Sequence, residues 1–214
     1  MDASKIVRAL SQVVLPSVFN PYCQVCPTHD IKSAASCRRG NLRSYLSAFQ
    51  ESGVDTMWMG RDLGYRGGRR TGLAFTDEAH LARVCSVYSG ANANKATRTP
   101  AVAERTASEV WRIISSLKDP PLLWNVFPLH PHEAEHSFTN RKFSSSELKR
   151  VDDINAELFA WLNIRRIVAV GVDATRYSAR FGLKIFPVRH PSYGGLVQFR
   201  KDMRVIYPPR SVIR

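Results

Sequence analysis

The segment 60–75 holds the residues whose types and spacing best suit chemistry. It contains one carboxylate, Asp62, among four arginines and five glycines, and it directly follows an apolar run that is typical of a strand. Arginine suits phosphate, glycine lets a ligand approach the backbone closely, and Phe75 offers an aromatic face to a flat ring. We therefore expect this segment to be a loop in which Asp62 acts on an anionic partner.

The elements that must position this segment alternate between strand and helix. Strands are predicted over residues 54–59, 122–127, 167–170 and 183–188 from short apolar runs. Helices are predicted over residues 6–14, 40–52, 77–84, 99–117, 144–162 and 173–181 and at the C-terminus, from helical spacing of apolar residues and from a capping box at residues 144–147. Residues 86–99 are small and polar, which is typical of a mobile surface loop.

This alternation predicts an α/β fold, a three-layer α/β/α sandwich with a central, mostly parallel four-stranded sheet. We expect a single domain over residues 1–214, with N-terminal helices in residues 1–53 and a core in residues 54–204. Ligands of such sheets bind at the carboxyl ends of the strands. The rule selects the Asp62 loop, the end of the Asn125 strand and the His190 turn, which should converge in space.

Charge and composition limit the partners. The formal net charge is +13 with a pI near 10.1, and the positive charge recurs along the chain, which favours nucleic acid. A hydrophobic content of 44% is enough for a sizeable core, and no run approaches the roughly 20 apolar residues of a membrane span. We expect a monomer without membrane contact, located in the cytoplasm, or with the nucleoid in a bacterium.

Two patterns suggest metal. Cys23 and Cys26 have the spacing of a zinc or iron–sulfur ligand pair, but Cys37 and Cys85 do not form a second close pair, so reduced thiols are favoured. The segment His132-Glu133-Ala134-Glu135-His136 satisfies the His-Glu-x-x-His pattern of zinc proteases, yet Pro131 precedes it and no long amphipathic helix surrounds it. The sequence therefore predicts neither a metal nor a cofactor.

The three selected segments, taken together and in order, resemble the signature segments of the uracil-DNA glycosylase superfamily. They are Gly60-Arg61-Asp62-Leu63-Gly64-Tyr65 with Gly72-Leu73-Ala74-Phe75, then Leu122-Leu123-Trp124-Asn125, then His190-Pro191-Ser192. The resemblance covers residues 54–204 and implies a monofunctional glycosylase that flips uracil out of single- or double-stranded DNA and hydrolyses its N-glycosidic bond. A binding module of the same fold, which recognises uracil or damaged DNA without excision, is the alternative.

The resemblance also implies residue roles. Asp62 would orient or activate water and His190 would donate to uracil O2, as the catalytic pair. The base would be bound by Asn125, Phe75, Tyr65 and Gly60. DNA would be held by Arg66, Arg69, Arg70, Ser192, Tyr193 and Leu196.

The chain departs from the superfamily patterns at three places. Gly64 stands where the best-known branch has a tyrosine that excludes the methyl group of thymine, and Tyr65 comes one residue later. Asp62 stands where the single-strand-selective branch has asparagine. The family's intercalating leucine, which follows a His-Pro-Ser-Pro motif, is absent from this chain. Tyr193 or Leu196 would therefore fill the gap in the duplex. A similar His-and-Glu stretch in the family implies that residues 132–136 line the cleft.

Overall fold

The structure is a computed structural model that describes residues 2–208. Its helices are α1 (Ala3–Ser11), α2 (Ala34–Ser52), α3 (Gly68–Thr71), α4 (Leu81–Val87), α5 (Arg105–Ile114), α6 (Ser145–Lys149), α7 (Asp152–Trp161), α8 (Val172–Ser178) and α9 (Leu196–Ile206). Its strands are β1 (Val18–Phe19), β2 (Thr56–Asp62), β3 (Leu122–Phe127), β4 (His130–Pro131), β5 (Arg166–Val170) and β6 (Lys184–Val188). Short 3₁₀ helices cover Glu78–His80 and Ala179–Phe181.

Four strands form a central parallel sheet in the order β3-β2-β5-β6, flanked by helices, which confirms the predicted fold class. The first strand of this sheet along the chain is β2. Strand β3 is added on one side of it, and β5 and β6 follow on the other side. The strand order therefore reverses at β2, and such a switch point opens a crevice at the carboxyl ends of the strands. Strands β1 and β4 form a separate antiparallel pair.

The core is continuous from the N-terminal helices to the sheet. Ile6 on α1, Leu46 on α2 and Trp58 on β2 are all fully buried in the same hydrophobic cluster. All six residues of β3 are buried, as expected for a strand covered on both faces. This packing fixes β2 and β3 rigidly beneath the residues that follow them.

Several element boundaries differ from the predicted ones. Strand β2 continues to Asp62, so this residue is the last of a strand and does not lie in a loop. Helix α5 starts at Arg105, and the predicted start at Thr99-Pro100 is wrong. The reason is tertiary: the buried carboxylates of Asp77 and Glu78 accept the backbone N–H groups of Glu104 and Val102 and hold residues 100–104 outside the helix.

Two further segments depart from expectation. The predicted helix over residues 144–162 begins at the expected capping box but is divided into α6 and α7 at Val151, whose backbone is not helical. Residues 92–99 are irregular but anchored, because Asn41 exchanges hydrogen bonds with Asn94, and Thr97 is buried and bridged to Asp30. Within residues 2–208, no helix has the length and apolar character needed to cross a membrane.

Candidate active site

A cleft of about 680 Å³ opens at the carboxyl ends of the central strands, and the three predicted segments meet there. Its walls come from the end of β2, the end of β3, the turn before α9 and the segment before α5. Of the residues selected from the sequence, it is lined by Gly60, Asp62, Arg66, Phe75, Asn125, His190, Ser192 and Tyr193. The convergence that the carboxyl-end rule predicts is thus present.

Asp62 ends β2 opposite Phe127 of β3, and its side chain is only 6% exposed. Its Oδ2 accepts a hydrogen bond from Nε of Arg61 at 2.5 Å. Burial raises the pKa of Asp62 to about 6, although the Arg61 guanidinium acts in the opposite direction. The site therefore holds a carboxylate that is ionised at neutral pH and poorly solvated, which suits it to act on a developing positive charge or on water.

Asn125 and Phe75 are brought together over Gly60. Gly60 is the register partner of Asn125, and a Cβ at Gly60 would lie 2.4 Å from Asn125 Oδ1 and 2.6 Å from Phe75 Cζ. Phe75 has a backbone φ of +52°, which is uncommon for a residue other than glycine, and turns its ring into this position. Only glycine leaves room for an amide and an aromatic ring on the same short stretch of backbone.

His190 is held as a neutral imidazole with a defined tautomer. The backbone N–H of Ser192 donates to its Nδ1 at 3.1 Å, so Nδ1 carries no proton and Nε2 does. Burial, with the nearby charges of Arg61 and Arg189, lowers the pKa of His190 to about 4. At neutral pH this side chain can donate one hydrogen bond from Nε2.

The turn that holds His190 is packed closely against its neighbours. A Cβ at Gly195 would lie 2.1 Å from the carbonyl oxygen of His190, and one at Gly171 would lie 3.2 Å from the His190 Cβ. The hydroxyls of Ser192 and Thr106 are 3.2 Å apart and join the turn to the first turn of α5. These contacts fix the position of the imidazole in the wall of the cleft.

Glu104 is a cleft residue that the sequence did not indicate. Its carboxyl packs on the loop after Asp62: a Cβ at Gly67 would lie within 2.4 Å of Oε2, and one at Gly64 within 3.3 Å of Oε1. Burial and the charge of Asp77 raise the pKa of Glu104 to about 7. No sequence signal pointed to it, because residue 104 falls inside the predicted helix over residues 99–117, whereas α5 starts at Arg105.

Four of the site residues predicted from the sequence do not line this cleft as the described residues 2–208 form it. They are Tyr65, Arg69, Arg70 and Leu196. Arg69 is 4% exposed and lies between the rings of Phe19 and Phe138, 4.1 and 4.8 Å from their centroids. Arg70 is equally buried, and its Nε donates to Glu78 at 2.8 Å. Both guanidiniums are engaged in the interior, so the expected contact of Arg69 and Arg70 with DNA does not agree with their positions.

The remaining DNA-binding candidates have different environments. Arg66 is exposed at the cleft, and its guanidinium lies 5.8 Å from the ring centroid of Tyr65, which is half-buried. Tyr193 is 96% exposed at the cleft rim with a φ of +54°. Leu196 is half-buried as the first residue of α9. Of the two wedge candidates, Tyr193 projects further from the surface.

The two metal-like patterns do not form ligand sets in the described part of the chain. No group of three or more His, Cys, Asp or Glu side chains suited to a metal occurs within residues 2–208. Cys23 is exposed and Cys26 is buried, and both are free thiols. Residues 132–136 are not helical and do not line the cleft, which corrects the expectation that they would; His132 Nδ1 instead bonds to the Glu133 carbonyl.

Comparison with known proteins locates the fold. No protein-family model matches the chain, and no curated protein matches it. Among solved structures, it is similar to the crystal structure of wild-type SMUG2 from Pedobacter heparinus. The two chains share 14% identical residues with a TM-score of 0.64, over 95% of this chain and 94% of that one. At this identity the likeness shows a common fold.

Proposed function

We propose that this protein is a monofunctional DNA glycosylase that hydrolyses the N-glycosidic bond of uracil in DNA and leaves an abasic site. The observation that carries the proposal is the joint placement of Asp62, Asn125 and a neutral His190 around one cleft at the switch point of the sheet. The common fold with SMUG2 supports the reaction class, and the net charge of +13 supports DNA as the partner.

The reaction separates charge, and the two catalytic residues act on opposite ends of the breaking bond. As the bond between C1′ of the sugar and N1 of uracil breaks, its electron pair leaves with the base and the sugar becomes positive. Asp62 offsets this positive charge and accepts the proton of the water that bonds to C1′. His190 donates from Nε2 to O2 of the departing base, and one such preorganised donor is worth about 3 kcal/mol.

The base is selected by the amide and ring that meet over Gly60. The Asn125 amide pairs with O4 and N3–H of uracil, an edge on which cytosine presents the opposite polarity. Phe75 stacks on the flipped base, and such a contact is worth about 1–3 kcal/mol. Because the pocket is built for an isolated base, the nucleotide must leave the duplex, which costs a few kcal/mol and least for mispaired or single-stranded bases.

Groups at the rim hold the DNA. Arg66 attracts phosphate, Ser192 and neighbouring backbone amides bind it, and Tyr193 fills the gap left in the duplex by the extruded nucleotide. Methyl exclusion by Tyr65 does not form part of the proposal, since its half-buried side chain lies outside the cleft.

The direct test is to incubate the pure protein with a labelled oligonucleotide containing one uracil and then add alkali. Strand cleavage at the uracil supports the enzyme, whereas a gel shift without cleavage supports the non-catalytic binding module. Parallel substrates with thymine, hypoxanthine or a single-stranded uracil define the range of bases and the strand preference.

Variants link the activity to the site. Asp62→Asn should lose most excision while retaining DNA binding, and His190→Ala should slow excision by about 100-fold. Matched controls are Asp152→Asn, whose carboxylate pairs with Arg180 outside the cleft, and His136→Ala at an exposed position. Near-normal turnover in both site variants would refute the residue assignments.

A further inference from the structure

A chain of alternating charges lies behind the catalytic carboxylate. The Arg61 guanidinium contacts Asp62 through Nε at 2.5 Å and Asp173 through Nη1 at 3.2 Å, and Lys142 Nζ contacts the other oxygen of Asp173 at 3.0 Å. These residues come from β2, α8 and the segment before α6, and all four line the cleft. None of the roles assigned above uses Arg61, Asp173 or Lys142.

The contact between Arg61 and Asp62 is unusual for neighbours on a strand. Successive side chains of a strand point to opposite faces, so adjacent residues do not normally bond to each other. Arg61 reaches Asp62 because its long side chain turns back at the end of β2, where Asp173 in the first turn of α8 accepts its second hydrogen bond. The planar guanidinium is thus fixed by two carboxylates.

The geometry leaves the two oxygens of Asp62 unequal. Oδ2 accepts the short bond from Arg61 Nε, whereas Oδ1 is 3.5 Å from Nη2 of the same guanidinium, too long for a strong bond. A carboxylate held by one oxygen has a restricted orientation and retains an acceptor on the other oxygen. Attack by water requires such an oriented acceptor.

We propose that Arg61 is a positioning residue: anchored by Asp173, it holds Oδ2 of Asp62, keeps the carboxylate ionised in its buried site, and leaves Oδ1 to orient the attacking water. The inference rests on the proposed glycosylase function. Arg61 also contributes positive charge beside His190, which favours the neutral imidazole that donates to the base.

The charges around Asp62 predict the direction in which each substitution should shift its pKa. Arg61 and Arg141 lower the pKa of Asp62, whereas burial and the negative charge of Asp173 raise it. Around His190, Arg61 and Arg189 both lower the pKa. Removing Arg61 should therefore raise the pKa of Asp62, and removing the charge of Asp173 should lower it.

The experiment measures the single-turnover rate of uracil excision against pH for the wild type, Arg61→Gln, Arg61→Lys and Asp173→Asn. In Arg61→Gln the inflection should move to higher pH by at least about one unit, so the rate at pH 7 falls by at least about twofold and recovers toward pH 9. In Arg61→Lys, which keeps the charge, the inflection should stay near that of the wild type. In Asp173→Asn it should move to lower pH.

The matched control is Arg166→Gln, which removes one arginine charge paired with Asp55 at the other end of the sheet. Its profile should equal that of the wild type. Unchanged inflections in both Arg61→Gln and Asp173→Asn, or shifts of the two in the same direction, would overturn the proposal. If Arg61→Gln does not fold, Asp173→Asn still decides the matter, because its inflection should move to lower pH while that of Arg61→Lys stays near the wild-type value.

Carboxyl-carbon NMR titration of Asp62 separates this inference from the proposed function. The titration reports the same signed shifts without any turnover. Absence of uracil excision with the expected NMR shifts would refute the glycosylase and leave the charge arrangement standing. Excision by the wild type with no NMR shift in the variants would refute the role of Arg61 alone.

Discussion

Gly60→Ala is the smallest change that should damage the base pocket. The new methyl group would lie 2.4 Å from Asn125 Oδ1 and 2.6 Å from Phe75 Cζ, whereas ordinary van der Waals contacts are 3.4–4 Å. Both side chains would have to move by about 1 Å. Asn125 cannot move freely, because it is 3% exposed in a strand whose six residues are all buried.

The expected losses of excision rate and of stability follow from that displacement. A misplacement of about 1 Å in a site that positions a reacting group can cost about 100-fold in rate, and overpacking a buried site costs about 1–3 kcal/mol of stability. Gly60→Ala should therefore lower the single-turnover rate of uracil excision by 10- to 100-fold, as an order of magnitude, and lower the free energy of unfolding by about 1–3 kcal/mol.

Gly40→Ala is the matched control, since Gly40 lies within α2 and a Cβ there meets nothing within 4 Å. This substitution should leave excision unchanged and stabilise the helix by up to about 1 kcal/mol. Rates are compared at a temperature well below the unfolding midpoint of each variant. A Gly60→Ala protein that excises uracil within about twofold of the wild-type rate would refute the assignment of the base pocket to Asn125 and Phe75.

Three further predictions follow from buried charges. The pKa of Asp62 is raised from 3.8 to about 6, so its contribution to stability is complete below the lower value and is lost as pH rises through the higher one. Denaturant unfolding should therefore show Asp62→Asn gaining about 2 kcal/mol on the wild type between pH 4 and pH 7, and parallel pH curves would exclude this. The pKa of Glu104 is raised to about 7, so its carboxyl is mostly charged at pH 8 and mostly neutral at pH 6. Fluorescence anisotropy should therefore show that Glu104→Gln tightens DNA binding several-fold at pH 8 and little at pH 6, and equal tightening at both pH values would contradict a titrating carboxyl. Arg69→Ala should lower the free energy of unfolding by about 2 kcal/mol without changing the salt dependence of DNA binding, whereas a shallower salt dependence would restore Arg69 as a phosphate ligand.

The elements that position the site were predictable where local pattern and packing agree. Strand β3 has the predicted bounds, because Leu122–Phe127 is a short apolar run ended by turn residues and is covered on both faces. The capping box at Ser144 also starts α6 as predicted, since its hydrogen bonds are local. With parallel strands established, the carboxyl-end rule alone brings Asp62, Asn125 and His190 to one edge.

The remaining features depend on contacts between distant segments. Arg69 and Arg70 have the composition of a phosphate loop, yet each meets a partner that no local pattern indicates: Phe19 for Arg69, and for Arg70 the buried Glu78. In the same way, Asp77 accepts the N–H of Glu104 and moves the start of α5 beyond Pro100. A charged residue in a glycine-rich stretch is thus ambiguous until its buried partners are known.

The distribution of charge predicts different salt dependences for binding and for bond cleavage. The protein carries a net charge of +13, yet the cleft contains three carboxyl groups, on Asp62, Glu104 and Asp173. Attraction of DNA to the basic surface acts over distances that salt screens, since the Debye length is about 10 Å at 0.1 M. Asp62 instead acts at contact distance in a poorly solvated site, where screening is weak. Raising salt from 50 to 200 mM should therefore weaken DNA binding by orders of magnitude, about 10³-fold if six phosphates are contacted, while the single-turnover rate at saturating protein changes little. A saturated rate that fell as steeply as the affinity would mean that salt reaches the reacting groups, and that Asp62 does not act from a desolvated position.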